Sequence, residues 1–196
     1  MKIVIVNSGG VNISSVQFAL KRLGYDSKFT EDLREIRNAD RIILPGVGSA
    51  GNAMKILSRY SLSEYLTETS KPVLGICLGM QIMFEYSEEN ETNCLGIFKG
   101  KLKEFRKEND MPQIHMGWNN LEILKKSRLL ENIPDDSFFY FIHKYYVEVD
   151  ENSSASSCYS TIFSAVVEKD NFFGCQFHPE KSGKAGSKIL ENFIRQ

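Results

Sequence analysis

Pro72-Val73-Leu74-Gly75-Ile76-Cys77-Leu78-Gly79-Met80-Gln81 is the stretch on which the reading of this chain turns. Its first five residues form a short apolar run that reads as a buried strand, and from Cys77 onward Leu78, Ile82 and Met83 fall at helical spacing. A nucleophilic side chain between glycines at a strand-to-helix junction is the pattern of a nucleophile elbow, where a sharp turn lifts one side chain above the sheet. Such a turn leaves little room for neighbouring Cβ atoms, which accounts for Gly75 and Gly79. A helix starting just after Cys77 presents its positive end to a thiolate, and the Leu78 N–H points toward an oxyanion formed there. The alternative for Cys77 is a small side chain simply buried against a sheet.

Working outward, residues 2–6 and Arg41-Ile42-Ile43-Leu44 are further short apolar runs, closed by Asn7-Ser8-Gly9-Gly10 and by Pro45-Gly46. Ser14 followed by Gln17 resembles a capping box, after which Val16, Ala19, Leu20 and Leu23 recur at helical spacing up to Gly24. A helical segment runs through Met54 and Leu57. Strands alternating with helices predict a parallel sheet covered on both faces. The second half differs: residues 97–105, 113–124, 138–149, 162–168 and 172–178 read as strands joined by turns. Lys169-Asp170-Asn171 is a hairpin turn, Ser153, Ser154, Ser156 and Ser157 lie in a polar loop, and Ile189, Leu190, Phe193 and Ile194 give a closing amphipathic helix. With no internal repeat and no boundary signal, the expected fold is α/β. It is a single domain over residues 1–196, with a central mostly parallel sheet flanked by helices and an antiparallel β section in the second half.

Composition narrows the functional classes. The 196 residues are 42% hydrophobic and 25% charged, enough to bury a core without disulfide or metal staples. The formal charge of −1 offers no basic field for nucleic acid or anionic lipid. No apolar run approaches the roughly 20 residues that span a bilayer, and the N-terminal run is too short for the core of a signal peptide. The four cysteines, Cys77, Cys94, Cys158 and Cys175, form no Cys-x-x-Cys pair and no histidine is close in sequence to two of them, so neither a zinc site nor a disulfide framework is expected. The expected compartment is the cytoplasm, with reduced thiols.

A cysteine nucleophile needs a base, and the chain has three histidines, His115, His143 and His178. His178 lies in Gln176-Phe177-His178-Pro179-Glu180, where Pro179 biases it toward extended backbone. In an extended segment residues two apart point the same way, so Glu180 can hold the His178 ring. In logic this is a Cys–His–Glu triad, with Glu180 fixing the tautomer and His178 moving the proton. The alternative is an edge-strand histidine bonded to a surface glutamate. Pro45-Gly46-Val47-Gly48 follows a strand and can bring backbone N–H groups to a ligand; with no Gly-Lys-Ser/Thr after it, it is not a phosphate loop. Glycines on both sides of Val47 make a peptide flip cheap, so an N–H there could turn toward an oxyanion.

These pieces together resemble the class I (triad) glutamine amidotransferases, and within them the glutaminase subunits of imidazole glycerol phosphate synthases. The resemblance rests on Leu44-Pro45-Gly46-Val47-Gly48, Gly75-Ile76-Cys77-Leu78-Gly79-Met80-Gln81, Ser87-Glu88-Glu89, His115-Met116-Gly117-Trp118-Asn119 and Phe177-His178-Pro179-Glu180-Lys181-Ser182-Gly183. It implies that Cys77 attacks the side-chain amide of L-glutamine, that His178 and Glu180 complete the triad, and that Gly46, Val47 and Leu78 form the oxyanion site. Gln81 and Glu89 match positions that hold the substrate glutamine. Asn12, Met116, Trp118, Tyr140, His143 and Lys181 match positions at the partner interface or the ammonia passage. The implied partner is a cyclase subunit in a heterodimer, and no cofactor or metal is implied. For Met116 and Trp118 the alternative is core packing, and for Tyr140 a strand buried on both faces.

Two departures stand out. Asn7-Ser8-Gly9-Gly10-Val11-Asn12 replaces the Asp-Tyr-Gly-x-Gly-Asn type of start, and Lys144 stands where a small hydroxyl residue commonly follows the histidine. Other readings keep the fold and change the chemistry: a glutaminase serving a different ammonia acceptor, a cysteine-peptidase-like thiol hydrolase, or a non-catalytic binding module.

Overall fold

A computed structural model describes residues 1–9, 13–46, 48–107 and 112–196. In chain order the strands are β1 (Ile3–Val6), β2 (Ser27–Thr30), β3 (Arg41–Leu44), β4 (Val73–Ile76), β5 (Tyr86–Ser87), β6 (Thr92–Asn93) and β7 (Lys101–Glu104). They continue as β8 (His115–Asn120), β9 (Glu122–Ile123), β10 (Phe138–His143), β11 (Tyr145–Tyr146), β12 (Ser153–Cys158), β13 (Ile162–Lys169) and β14 (Phe172–Cys175). The α-helices are α1 (Ile13–Arg22), α2 (Leu33–Arg37), α3 (Ala50–Arg59), α4 (Leu62–Glu68), α5 (Leu78–Gln81) and α6 (Gly183–Ile194).

One eight-stranded sheet, in the order β2-β1-β3-β4-β14-β13-β12-β9, runs through the molecule. Pairing is parallel from β2 to β14 and antiparallel from β14 to β9. Side-chain alternation along β1 shows why both faces need cover. Ile3 and Ile5 enter one apolar cluster with Val16 and Leu20 of α1 and Ile189, Leu190 and Phe193 of α6. Val4 and Val6 enter a second cluster with Ala53 and Leu57 of α3 and Leu62 and Leu66 of α4. A strand buried on both faces reads as a continuous apolar run, which is how β1, β3 and β4 are written. An antiparallel ribbon of β8 and β10 and a small sheet of order β11-β7-β5-β6 stand apart from the central sheet.

The structure corrects several local readings. Ser153–Cys158 is a strand rather than a polar loop, buried through its first five residues. Serines are tolerated there where their hydroxyls find partners: Ser153 Oγ lies 2.5 Å from Ser164 Oγ, and Ser157 Oγ donates to the Asn120 carbonyl at 2.8 Å. Ser14 is not a helix cap, because α1 already begins at Ile13. Gln17 instead reaches β2, its amide donating to the Ser27 carbonyl at 3.4 Å. The run 113–124 divides between β8 and β9, which belong to different sheets, and the run 138–149 divides into β10 and β11. β2, written Ser-Lys-Phe-Thr, carries no apolar run because it is an edge strand paired only to β1.

The β13–β14 hairpin is set by Asp170, whose φ of +53° is the left-handed value a tight turn requires. Asn171 then ties it to the segment before β4, its side-chain amide donating to the Thr69 and Lys71 carbonyls at 2.8 and 2.7 Å. Asn171→Ala strands both carbonyls, at a cost of about 1–3 kcal/mol. At roughly 2–4 °C per kcal/mol for a chain of this size, thermal denaturation followed by circular dichroism should show Tm lowered by several degrees.

Candidate active site

The site is built on the turn from β4 to α5. Cys77 sits there with φ +51° and ψ −110°, a conformation that costs an L-residue of order 1–3 kcal/mol. The chain can turn so sharply because backbones touch on either side. A Cβ on Gly79 would lie 1.8 Å from the Leu44 carbonyl oxygen at the end of β3, and one on Gly75 would lie 2.6 Å from the Gly79 backbone. Gly46 closes the same contact from the β3–α3 loop, where a Cβ would stand 2.3 Å from Leu78 Cβ. The expectation of an elbow with no space for side chains beside the nucleophile is met atom by atom. Only the helix is shorter than expected, since α5 is a single turn.

β14 pairs with β4 and ends at Cys175, and the chain then carries Gln176 and His178 past Cys77. His178 Nδ1 lies 2.7 Å from Glu180 Oε1, with both side chains almost wholly buried. His178 has extended backbone, but Pro179–Lys181 is a 3₁₀ turn. It is therefore this turn, not strand alternation, that folds Glu180 back under the ring. Nδ1 must carry a proton to meet a carboxylate, which turns Nε2, buried and without another hydrogen-bond partner among the described residues, toward the sulfur side. Burial pushes the His178 imidazole down; the neighbouring Cys77 thiolate, by charge and hydrogen bonding, and then the Glu180 carboxylate overcome this and raise it to about 10.

The other two histidines are excluded as bases by the same physics. Burial lowers His115 to about 4 and His143 to about 3. They form a neutral chain whose direction is fixed at one end by a carbonyl. His143 Nδ1 donates to the Tyr145 oxygen at 2.9 Å, so its Nε2 accepts from His115 Nδ1 at 3.1 Å, and His115 Nε2 accepts from the Asn119 amide at 3.4 Å.

β10 is the opposite wall. Its Ile142 carbonyl lies 3.6 Å from Cys77 Sγ, and its Tyr140 carbonyl accepts from the His178 N–H at 2.9 Å. Ser182 Oγ locks the two segments by accepting from the Tyr140 N–H and donating to the His178 carbonyl. Gln81, one helical turn after Cys77, spends both amide hydrogens, on the Tyr145 carbonyl at 2.9 Å and on Gln176 Oε1 at 3.0 Å. Glu89 Oε2 accepts from the Ala50 N–H at 2.6 Å, fixing the start of α3 and with it the loop through Gly46. As the first residue of α5, Leu78 has an N–H without an intrahelical acceptor. Val47 and Asn12 lie outside the described residues.

A family model described as glutamine amidotransferase class-I matches residues 5–196. The chain belongs to the class-I glutamine amidotransferases. It is 46% identical to the imidazole glycerol phosphate synthase subunit HisH of Idiomarina loihiensis, over 99% of this chain and 97% of that protein. It is 45% identical to the subunit of the same name from Bacteroides fragilis, over 99% of both. Among solved structures, a putative GMP synthase component from Thermoplasma acidophilum superposes with a TM-score of 0.76, at 21% identity over all of this chain and 92% of that one. PurLQS from Thermotoga maritima gives 0.73, at 22% identity over 99% and 97%. These last two bear on the fold alone.

In this amidotransferase the remaining candidates lie mostly on the ribbon. β10 alternates, with Phe139, Phe141 and His143 buried and Phe138 and Ile142 exposed, so Tyr140 is not in a strand buried on both faces. Cross-strand register sets Tyr140 opposite Trp118 and Ile142 opposite Met116. Met116 is 66% and Trp118 56% exposed, which overturns core packing for both. Lys181 Nζ lies 5.6 Å from the Tyr140 ring centroid. His143 points inward, away from that surface. Lys144 is paired with Glu104 at 2.5 Å. Among the described residues no group of His, Cys, Asp and Glu is placed to hold a metal ion, and no helix is long and apolar enough to cross a membrane. Sequence reading missed Gln176, a neutral amide that meets Cys77 because β14 pairs beside β4 and ends just before it.

The three histidines give stability a definite pH dependence. His115 and His143 are neutral when folded but bind protons near pH 6.5 when unfolded, so each lowers stability as pH falls below about 6.5, by up to about 1.4 kcal/mol per pH unit. His178 is raised when folded, so its contribution is complete below pH 6.5 and is lost as pH rises toward 10. Tm measured against pH should show His143→Gln flattening the acid limb and leaving the alkaline limb in place.

Proposed function

We infer that this chain is the glutaminase subunit of an imidazole glycerol phosphate synthase, hydrolysing L-glutamine and passing ammonia to a cyclase subunit in a cytoplasmic heterodimer. The observation that carries this is the buried Cys77–His178–Glu180 alignment at a strained elbow, in a chain 40–46% identical along its length to proteins named HisH. The steps follow from the geometry. Cys77 Sγ adds to the side-chain carbonyl carbon of glutamine, and the oxyanion is received by the Leu78 N–H and the loop carrying Gly46 and Val47. His178 Nε2–H gives its proton to the departing nitrogen, releasing ammonia and leaving a γ-glutamyl thioester. His178 then takes a proton from water, whose oxygen adds to the thioester; glutamate leaves and the thiolate returns. Glu180 keeps the ring oriented throughout. Gln81, with its hydrogens spent, offers its carbonyl oxygen to the substrate, and Glu89 attracts the substrate's ammonium.

The exposed patch of Met116, Trp118, Tyr140 and Ile142 on the β8–β10 ribbon supports a partner on that side, because exposed apolar side chains gathered on one face mark interaction surfaces. The same strand, β10, walls the nucleophile, so ammonia released at Cys77 has a short way to the covered face, with Lys181 and Tyr140 at the exit. Free ammonia in neutral water is mostly protonated and no longer nucleophilic, which favours delivery through protein.

Cys77→Ala should abolish glutamine hydrolysis in the assembled complex while leaving synthesis from added ammonium salts intact, and His178→Asn should reduce hydrolysis by about 10²–10⁴-fold. Hydrolysis near the wild-type rate in either variant refutes the assignment. Glutaminase turnover of the lone chain, of the complex, and of the complex with the cyclase substrate should rise in that order. A flip at Val47 that supplies one oxyanion donor is worth about 10²–10³-fold; equal rates in all three refute a switch. Met116→Asp should break copurification with the cyclase partner, read by gel filtration.

A further inference from the structure

The fully buried side chain of Gln176 has no role in the mechanism above, yet among the described residues it is the one side chain that touches both the nucleophile and the substrate holder. Its Oε1 accepts from Gln81 at 3.0 Å and its Nε2 lies 3.7 Å from Cys77 Sγ. The orientation of both amides is forced. The Tyr145 carbonyl can only accept, so the nitrogen of Gln81 must face it, and the second hydrogen on that nitrogen then faces Gln176. The atom of Gln176 that meets it must be the oxygen, which leaves the Gln176 NH2 group against the sulfur. The Gln176 backbone is held by its own bond to the Ala165 carbonyl at 2.9 Å, so the side chain is aimed from a fixed base. A buried amide is costly unless bonded, and both ends of this one are spent on the Cys77–Gln81 pair.

We propose that Gln176 is a positioning residue of this site, steadying the Cys77 thiolate through its N–H and, through its carbonyl, aiming the oxygen of Gln81 at the substrate. The first half stands on geometry alone; the second rests on the reading of Gln81 as a glutamine holder. A donor to a sulfur that also faces His178 steadies the thiolate before it adds to the substrate and receives it again when glutamate leaves. The titratable groups around Cys77 are His178 and Glu180 on the segment after β14, Cys175 on β14, and the neutral His143 on β10. β4 and α5 contribute none.

The test is the pH dependence of Cys77 alkylation by iodoacetamide, read at that cysteine by peptide mass spectrometry in the full-length chain, beside the KM for glutamine of the complex with its cyclase partner. Gln176→Met removes both bonds: the alkylation midpoint should rise by about one pH unit and KM by about tenfold. Gln176→Glu keeps an acceptor for Gln81 but sets a carboxylate against the sulfur: the midpoint should rise at least as far, with KM within about threefold of wild type. A merely structural residue would lower Tm and leave the midpoint where it was, and an unmoved midpoint in folded Gln176→Met overturns the proposal. An unmoved KM in that variant overturns its second half. If the complex shows no glutaminase at all, the functional reading fails and the alkylation arm still decides the first half. Should both variants fail to fold, the side-chain amide signals of Gln176 in 15N-labelled wild type must follow the Cys77 titration and stop following it in Cys77→Ser; signals that do not respond overturn the proposal.

Discussion

The contact of Gly79 with the Leu44 carbonyl is the constraint from which the site follows. Two parallel strands, β3 and β4, end side by side, and the chain leaving β4 must turn back over the end of β3 with no side chain between the backbones. That forces the residue at the apex into positive φ, and the apex is Cys77. The strain of order 1–3 kcal/mol is supportable because β4 lies in the middle of the sheet, buried on both faces between β3 and β14. The elbow therefore belongs to the core: Cys77 itself packs in one of the apolar clusters, so loosening that cluster would move the nucleophile with the turn.

A second element, β10, does two kinds of work through the alternation of a strand. Its inward side chains, Phe139, Phe141 and His143, join the core, while Tyr140 and Ile142 face the same way as Trp118 and Met116 on β8. The carbonyls between them are spent on the site, Tyr140 on His178 and Ile142 toward Cys77. A displacement of the ribbon by anything that covers its outer face would thus reach the base and the nucleophile through backbone, without any chain of side-chain rearrangements.

Much of this was legible in the sequence for physical reasons, and the failures are equally specific. Continuous apolar runs announced β1, β3 and β4 because strands buried on both faces can be written in no other way. Ser153–Cys158 was illegible because Ser153 and Ser157 find a hydroxyl and a carbonyl partner on neighbouring segments inside the fold, and β2 because an edge strand needs only one buried face. The pairing of His178 with Glu180 was expected from strand alternation and arises from a 3₁₀ turn, since Pro179 both extends His178 and opens a turn after itself. Gln176 was passed over because amides carry no pattern of their own; only the direction of the Tyr145 carbonyl reveals which of its ends is the donor.

Charge bookkeeping explains why one histidine of three is the base. A buried imidazole is normally driven neutral, and His115 and His143 are. His178 is as deeply buried, yet Cys77 and Glu180 beside it outweigh the burial and raise its imidazole to about 10. Of the lysines near the site, Lys181 is turned to the Tyr140 ring and Lys144 to Glu104, so neither is spent on the sulfur when Cys77 reacts as a thiolate. Oriented dipoles are what remain to balance that thiolate, and the Gln176 amide is placed at the sulfur. When the tetrahedral intermediate forms, the negative charge of the attacking thiolate moves from sulfur to oxygen by a few ångströms. A site balanced by fixed donors can follow that shift with little reorganisation, whereas a lysine at the same place would hold the charge on the sulfur and slow the step.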